Sequence, residues 1–160
     1  MARGHSASHA VIATSLRRLQ RLRASKQVHK ALSIASGVDL PQQATEVLLA
    51  LTDRMSLADL ARAAHMDTGA TSRQVSLLED LRLTRKEQHP DNASAILVSR
   101  TTRGTALAVR MVEVRDRHLT SVLNKWSRED KEHLAQLLER LVRDLEHTPY
   151  QRKATETMKR

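Results

Sequence analysis

The stretch MDTGATSRQVSLLEDLRL, residues 66–83, indicates a helix with one buried face and one polar face. Asp67 or Thr68 suits the N-cap, because a short polar side chain there accepts a hydrogen bond from the first turn. Residues 71, 75 and 78 are Thr, Val and Leu, whose intervals of four and three place them on one helical face. The opposite face is small and polar and comprises Gly69, Ala70, Ser72, Arg73 and Ser76. We predict that this is the second helix of a helix–turn–helix, which enters a DNA groove.

The residues on either side predict the rest of a winged helix–turn–helix. Upstream, Ser56 and Asp59 match a capping pattern for a short helix whose apolar residues share one stripe. Residues 65–66 form the turn, which is too short for anything except two helices that meet at a steep angle. Downstream, residues 84–88 and 94–99 are extended segments separated by a turn at residues 89–93. We also expect a very short strand at Met55 beside this hairpin.

Three segments resemble the MarR family of bacterial transcriptional regulators in their order and spacing. They are LPQQATEVLLAL (residues 40–51), MSLADLARAAHMDTGATSRQVSLLEDLRL (residues 55–83) and AILVSRTTRG (residues 95–104). The resemblance covers the middle of the chain, whereas the flanks match only as helices of suitable length. It implies a homodimer that binds a pseudo-palindromic operator in double-stranded DNA. It further implies a repressor that a small aromatic or acidic effector releases.

The resemblance and the polar face of the helix together suggest a set of DNA-binding residues. These are Thr68, Gly69, Ala70, Ser72, Arg73, Ser76, Arg85, Lys86 and Asn92. The wing departs from the family pattern, because Asn92, Ala93 and Ser94 occupy the place where an arginine usually enters the minor groove. A glycine that usually ends the reading helix is replaced by Arg82. Arg82 and Arg85 are candidates to supply part of the missing wing charge.

We predict a mostly α protein with a small β-hairpin wing, dimerised through its N- and C-terminal helices. Residues 1–9 are expected to be a mobile tail, residues 10–36 N-terminal dimerisation helices, and residues 37–101 the winged helix–turn–helix. Residues 102–147 are expected to form C-terminal dimerisation helices, in which a leucine stripe precedes Pro149, and residues 148–160 a polar tail. Gly37 is predicted to end one helix and Pro41 to open the next.

The net charge of +9 indicates a polyanionic partner. The charge is unevenly distributed, because residues 1–30 carry seven basic and no acidic residues, whereas residues 39–99 carry six basic and nine acidic ones. The winged helix is therefore slightly acidic. Either its acids point away from DNA while Arg62, Arg73, Arg85 and Lys86 face it, or the basic flanks supply phosphate contacts.

Other classes of site have little support in the sequence. The four glycines are isolated and the histidines do not form a His-Glu-x-x-His pattern, so we expect neither an enzyme nor a cofactor. Without cysteine, a zinc site would need His29, His65, His118, His133 or His147 to converge, and we expect no metal. Effector-binding candidates, chosen by position, are Arg17, Arg18, His29 and Arg110. No apolar run is long enough to span a membrane, so we expect a cytoplasmic protein that is nucleoid-associated when DNA-bound.

Two alternatives stay open. The chain could be a weakly specific or architectural DNA-binding protein without an effector, since the wing lacks its usual arginine. It could instead be a protein-binding module that uses the leucine stripe of its last helix.

Overall fold

A computed structural model describes residues 2–90 and 92–148, with the side chains of residues 2–6 and 92–94 left out. Helices dominate these residues, and one small antiparallel sheet accompanies them. The helices are α1 (Ala2–Arg23), α2 (Lys26–Ser36), α3 (Gln42–Ala50), α4 (Leu57–Ala63), α5 (Thr68–Asp80), α6 (Thr102–Val122) and α7 (Arg128–His147). The strands are β1 (Met55–Ser56), β2 (Thr84–His89) and β3 (Asn92–Arg100), and their order in the sheet is β1-β3-β2. The prediction of a mostly α winged helix is confirmed.

Local side-chain chemistry sets the helix ends. Asp67 Oδ1 accepts a hydrogen bond from the Ala70 backbone N at 2.7 Å, and this bond begins α5. The Ser56 hydroxyl caps α4 in the same way, and Ser127 caps α7. Gly37 ends α2 with φ +75°, a left-handed conformation that glycine adopts without a Cβ clash. The Ser-x-x-Asp pattern of residues 127–130 predicts the cap at Ser127 as well, so all four caps match the sequence prediction.

The core of the winged helix joins α3, α4, α5, the sheet and the first half of α6. Its fully buried apolar residues are Leu40, Val47, Leu48, Leu51, Leu60, Val75, Leu78, Leu83, Val98 and Met111. Because α5 contributes only one stripe to this core, its other side is free to face a partner. The chain divides into two compact units within α6, between Arg117 and His118, and this core lies in the first unit.

A half-buried arginine fixes β3 against the end of α3. Arg100 Nε donates to the Leu48 carbonyl at 2.9 Å and Nη2 donates to the Leu49 carbonyl at 3.1 Å. Carbonyls in the last turn of a helix lack intrahelical partners, so these bonds satisfy groups that would otherwise be buried unpaired. Burial lowers the pKa of the Arg100 guanidinium, although arginine stays protonated at neutral pH.

Three sequence boundaries need correction. The tail expected over residues 1–9 is wrong, since α1 begins at Ala2. Extending an existing helix adds one hydrogen bond per residue at little cost, and this segment contains no proline to stop it. The hairpin turn is tighter than expected, because β2 reaches His89 and β3 starts at Asn92. The apolar pattern of the sequence predicts a helix that starts at Thr101 or Thr102 and runs to about Lys125, whereas α6 ends at Val122. Of the predicted polar tail, residues 149–160 lie outside the described residues.

The contact between Gly104 and Leu83 yields a stability prediction. A Cβ on Gly104 would lie 1.9 Å from the Leu83 carbonyl oxygen, a backbone atom that cannot move away alone. We expect Gly104→Ala to destabilise the protein by about 2–3 kcal/mol, measured by urea unfolding, since overpacking forces backbone shifts. Thr105→Ala, at an exposed neighbouring position, should change stability by less than about 0.5 kcal/mol. Equal stabilities for wild type and Gly104→Ala would contradict this packing.

Candidate nucleic-acid interface

The two faces of α5 differ as the sequence predicts, with one exception. Thr71, Val75 and Leu78 are buried, and the Thr71 hydroxyl donates to the Asp67 carbonyl at 2.9 Å. The exposed face carries Thr68, Gly69, Arg73 and Ser76, with Ser72 half-buried between them. Ala70 is only 8% exposed, so its assignment to the exposed DNA-binding face is wrong. Ala70 lies next to Thr71 at the edge of the buried face of α5. This face is therefore wider than the spacing of Thr71, Val75 and Leu78 predicts.

Two residues in left-handed backbone conformations bound this helix. His65 has φ +52° in the turn between α4 and α5, and Arg82 has φ +59° between α5 and β2. At Arg82, its N donates to the Glu79 carbonyl and the Leu83 N donates to the Leu78 carbonyl, both at 2.8 Å. Arg82 therefore does what glycine commonly does at a helix end. It turns the chain directly from the candidate reading helix into the wing.

An ion pair joins α5 to the wing. Lys86 Nζ lies 2.9 Å from Glu79 Oε2 and donates to the Ser76 hydroxyl at 3.0 Å. The other carboxylate oxygen of Glu79 accepts from the Lys86 backbone N at 3.2 Å. The hydrogen bond from Lys86 lowers the pKa of the Glu79 carboxyl below its ordinary value of 4.5. Glu79 thus holds both the backbone and the side chain of Lys86 against the exposed edge of α5.

Arg85 lies on the opposite face of the wing from Lys86. Its Nε donates to Ser99 Oγ at 2.9 Å and lies 3.1 Å from Glu87 Oε1. Arg54 Nη2 lies 2.8 Å from the other oxygen of Glu87. Side chains of neighbouring strand residues alternate between faces, so Lys86 faces the exposed edge of α5 whereas Arg85 points to the other side of the wing. The structure therefore separates two residues that the sequence prediction grouped together.

The charge on this surface is largely neutralised within the protein. Asp59 pairs with Arg62 one helical turn away, and Glu79 pairs with Lys86. Both cations therefore have a carboxylate partner within the protein. Arg73 is exposed and forms no ion pair or hydrogen bond within the described residues. For Asn92 only the backbone is described, and it pairs with His89 across the hairpin. Sequence reasoning missed Arg54 and the pairing role of Glu87, because nothing in a single sequence marks side chains that pair across strands.

The effector candidates do not converge on one site in the described chain. His29 lines a groove of about 700 Å³ between α2 and the start of α3, and its Nε2 lies 2.5 Å from the Leu40 carbonyl oxygen. Arg110 Nη1 donates to the Ser36 carbonyl at 3.1 Å, near the edge of this groove. Arg17 donates to Thr14 Oγ1 on α1, and Arg18 is exposed on the same helix. His29 is therefore the member of the predicted set that lines the groove.

The groove also carries other ionisable residues that the sequence analysis did not select. Lys26 lies three positions before His29 on α2 and Lys30 one position after it, and Asp39 lies in the segment after Gly37. In the part of the chain that the structure describes, no three metal-binding side chains cluster. Likewise, none of the described helices is long and apolar enough to cross a bilayer.

Solved structures similar to this chain include several winged-helix regulators. A MarR family protein from Bacillus stearothermophilus matches with a TM-score of 0.76 at 16% identity, over 88% of this chain and 96% of that one. A structure of MarR gives a TM-score of 0.67 at 19% identity, over 83% and 98%. BpsR of Bordetella bronchiseptica, whose DNA binding is regulated by 6-hydroxynicotinic acid, matches with a TM-score of 0.60 at 23% identity, over 80% of this chain and 98% of that one. No family model matches the sequence, and no curated protein matches it. The chain has the MarR winged-helix fold.

The Glu79–Lys86 pair predicts a specific dependence of stability on pH. The pKa of Glu79 is lower in the folded protein than in the unfolded chain, so its carboxylate stabilises the fold above about pH 4.5. This stabilisation is lost as the pH falls through the pKa of Glu79 in the folded protein. We expect wild type to lose more stability than Glu79→Gln between about pH 6 and pH 3 in urea unfolding. Lys86→Gln should also reduce the pH dependence, because it removes the ammonium group whose hydrogen bond is the largest cause of the lowered pKa of Glu79. An identical pH dependence in all three proteins would contradict the pair.

Proposed function

We propose that this chain is a MarR-like transcriptional regulator that binds double-stranded DNA. The observation that supports this most is the exposed face of α5. It presents small polar side chains and the unpaired Arg73, while its opposite face is anchored in the core. Short side chains let a helix lie deep in the major groove, and an arginine there can form two hydrogen bonds with guanine. The site holds no arrangement of groups that would serve catalysis, and we propose no enzymatic role.

Homodimerisation is part of the proposal, because the terminal helices expose apolar residues that a second copy would cover. On α1 these are Ile12, Leu19 and Leu22; on α6, Val109, Val112, Leu119 and Val122; on α7, Leu137, Leu138, Val142 and Leu145. No residue of α7 is buried, although its apolar residues repeat at helical spacing. A two-fold dimer would present two α5 helices to successive major grooves, about 34 Å apart, and so favour a pseudo-palindromic operator.

We propose a repressor that is released by a small aromatic or acidic effector, acting in the bacterial cytoplasm and on the nucleoid. The groove beside His29 supports this, since Lys26 and Lys30 provide cations and Ile34 and Val38 an apolar wall. Such a combination suits an organic anion. Regulation would then be a population shift: an effector that favours a dimer with mis-spaced α5 helices weakens DNA binding, and DNA weakens effector binding equally.

An architectural role without an effector is the second candidate. It is favoured by the basic N-terminal helices, whose cations could hold phosphates of any sequence, and by the wing tip, which lacks an arginine. A regulator should prefer its own operator over random duplex by roughly 10³-fold or more, whereas an architectural protein should show little preference. Fragments enriched from genomic DNA by the purified protein provide the operator for this comparison.

The role of Arg73 yields a prediction about DNA affinity. We expect Arg73→Ala to weaken operator binding by about 1–3 kcal/mol in a gel-shift titration, since one arginine–base contact is worth that much. Its stability should be unchanged, because the side chain is exposed and unpaired. Arg140→Ala, an exposed arginine on α7, is the matched control and should retain wild-type affinity. Wild-type affinity for a folded Arg73→Ala protein would argue against α5 as the reading helix.

The exposed stripe of α7 yields a prediction about oligomeric state. Leu138 and Leu145 are 45% and 57% exposed in the single chain. We expect Leu138→Lys combined with Leu145→Lys to convert a dimer into a monomer in size-exclusion chromatography with light scattering, because the charges would be buried at the interface. Gln136→Lys, on the opposite side of α7, should stay dimeric. A monomeric wild type would remove the dimer from the proposal.

A further inference from the structure

The cations of the winged helix are mostly occupied by the protein's own carboxylates. The pairs are Arg54–Glu87, Arg85–Glu87, Arg62–Asp59 and Lys86–Glu79. A phosphate that approaches such a cation must displace or share a carboxylate, so it releases fewer counterions than it would at a free cation. The sequence-independent part of DNA affinity depends on counterion release, and this surface is poorly equipped to supply it.

The N-terminal helices show the opposite situation. The first 38 residues contain seven basic residues and no acidic one. Six of these cations lie among residues whose side chains are described, and none of the six pairs with a carboxylate there: Arg17, Arg18, Arg21, Arg23, Lys26 and Lys30. The longest run of cations without a carboxylate partner among the described residues therefore lies on α1 and α2 rather than on α5 and the wing.

Three of these arginines share one side of α1. Arg17 and Arg21 are one helical turn apart, Arg18 lies beside them, and all three are exposed. A single hydrogen bond ties Arg17 to Thr14 at 3.1 Å, which leaves most of its guanidinium donors available. Ile12, Leu16 and Leu19 lie on the other side of the helix, whereas Val11 and Leu22 lie next to Arg18. We call Arg17, Arg18 and Arg21 the α1 basic face.

We infer that the α1 basic face is a second DNA-contact surface, which holds the phosphates of duplex DNA without reading its sequence. Guanidinium groups recognise phosphate oxygens through paired hydrogen bonds, and α1 contains arginine but no lysine. An anionic membrane fits α1 less well, because the helix has no aromatic residue to insert into the headgroup region. The inference rests on the proposed DNA binding but not on an operator or an effector.

The test is a salt titration of binding to a random-sequence duplex of about 40 base pairs. In the triple variant Arg17→Gln, Arg18→Gln, Arg21→Gln, we expect the slope of log K against log salt to fall by about 2–3 units per contacting subunit, since each phosphate contact contributes about 0.9. Affinity for an operator should fall by the same factor as affinity for random duplex. Glutamine is nearly as good a helix former as arginine, and circular dichroism checks that α1 is intact.

A matched control separates direct contact from loss of net charge. Arg128, Arg140 and Arg143 are exposed on α7, and each lies beside a carboxylate on its own helix. Changing these three to Gln removes the same charge, so an equal loss of slope in both triple variants would overturn the inference. So would an unchanged slope in the α1 variant. Loss of binding to anionic phosphatidylglycerol vesicles, with DNA binding intact, would also overturn it in favour of a membrane surface.

The same experiment distinguishes this inference from the proposed function. If wild type shows no preference for any sequence but the α1 variant loses slope, the α1 surface stands and the operator-specific regulator fails. If Arg73→Ala loses operator preference but the α1 variant keeps its slope, the regulator stands and the second surface fails.

Discussion

The corner between α5 and β2 is the constraint on which the rest of the winged helix depends. Leu83 is buried there, and its carbonyl accepts a hydrogen bond from the Thr101 backbone N at 3.0 Å. The Thr101 hydroxyl donates to the Arg82 carbonyl at 2.8 Å and accepts from the Gly104 N at 3.0 Å. One backbone corner therefore fixes the end of α5, the start of β2 and the first turn of α6. Only a residue without a Cβ at position 104 lets α6 approach so closely.

The same compact arrangement explains the electrostatics of the surface. The wing lies close enough to α5 for Glu79 to bond both the backbone and the side chain of Lys86. On the other face of the wing, Glu87 forms ion pairs with Arg85 of β2 and with Arg54 in the loop before β1. These exposed pairs add little stability individually, but they fix side-chain geometry and reduce the free charge. Arg73 is left without a carboxylate partner on the exposed face of α5, while the longest run of unpaired cations among the described residues lies on α1 and α2.

Much of the fold was predictable from sequence because its signals are local. The caps at Ser56, Asp67 and Ser127, the stop at Gly37 and the buried stripe of α5 each depend on residues within about one helical turn. The site was less predictable because it depends on long-range pairing. Lys86 is held in an ion pair because Glu79 lies beside it across the corner between α5 and β2. Arg85 points to the opposite face of the wing from Lys86 because side chains alternate along β2. The helical start at Ala2 also escaped prediction, since helix extension needs no apolar pattern.

The left-handed residue at Arg82 shows how this sequence resolves a local conflict. An L-residue other than glycine in that conformation costs about 1–2 kcal/mol. Two backbone hydrogen bonds across the corner, from Arg82 N and Leu83 N, require this conformation. A cation at the C-terminus of a helix also gains about 0.3–1 kcal/mol from the helix dipole. Glycine at position 82 would remove the backbone strain, but it would also remove the favourable interaction with the helix dipole. It would further remove one of the few cations beside α5 that have no carboxylate partner among the described residues. Arginine at this position therefore exchanges a small loss of stability for positive charge where α5 turns into the wing.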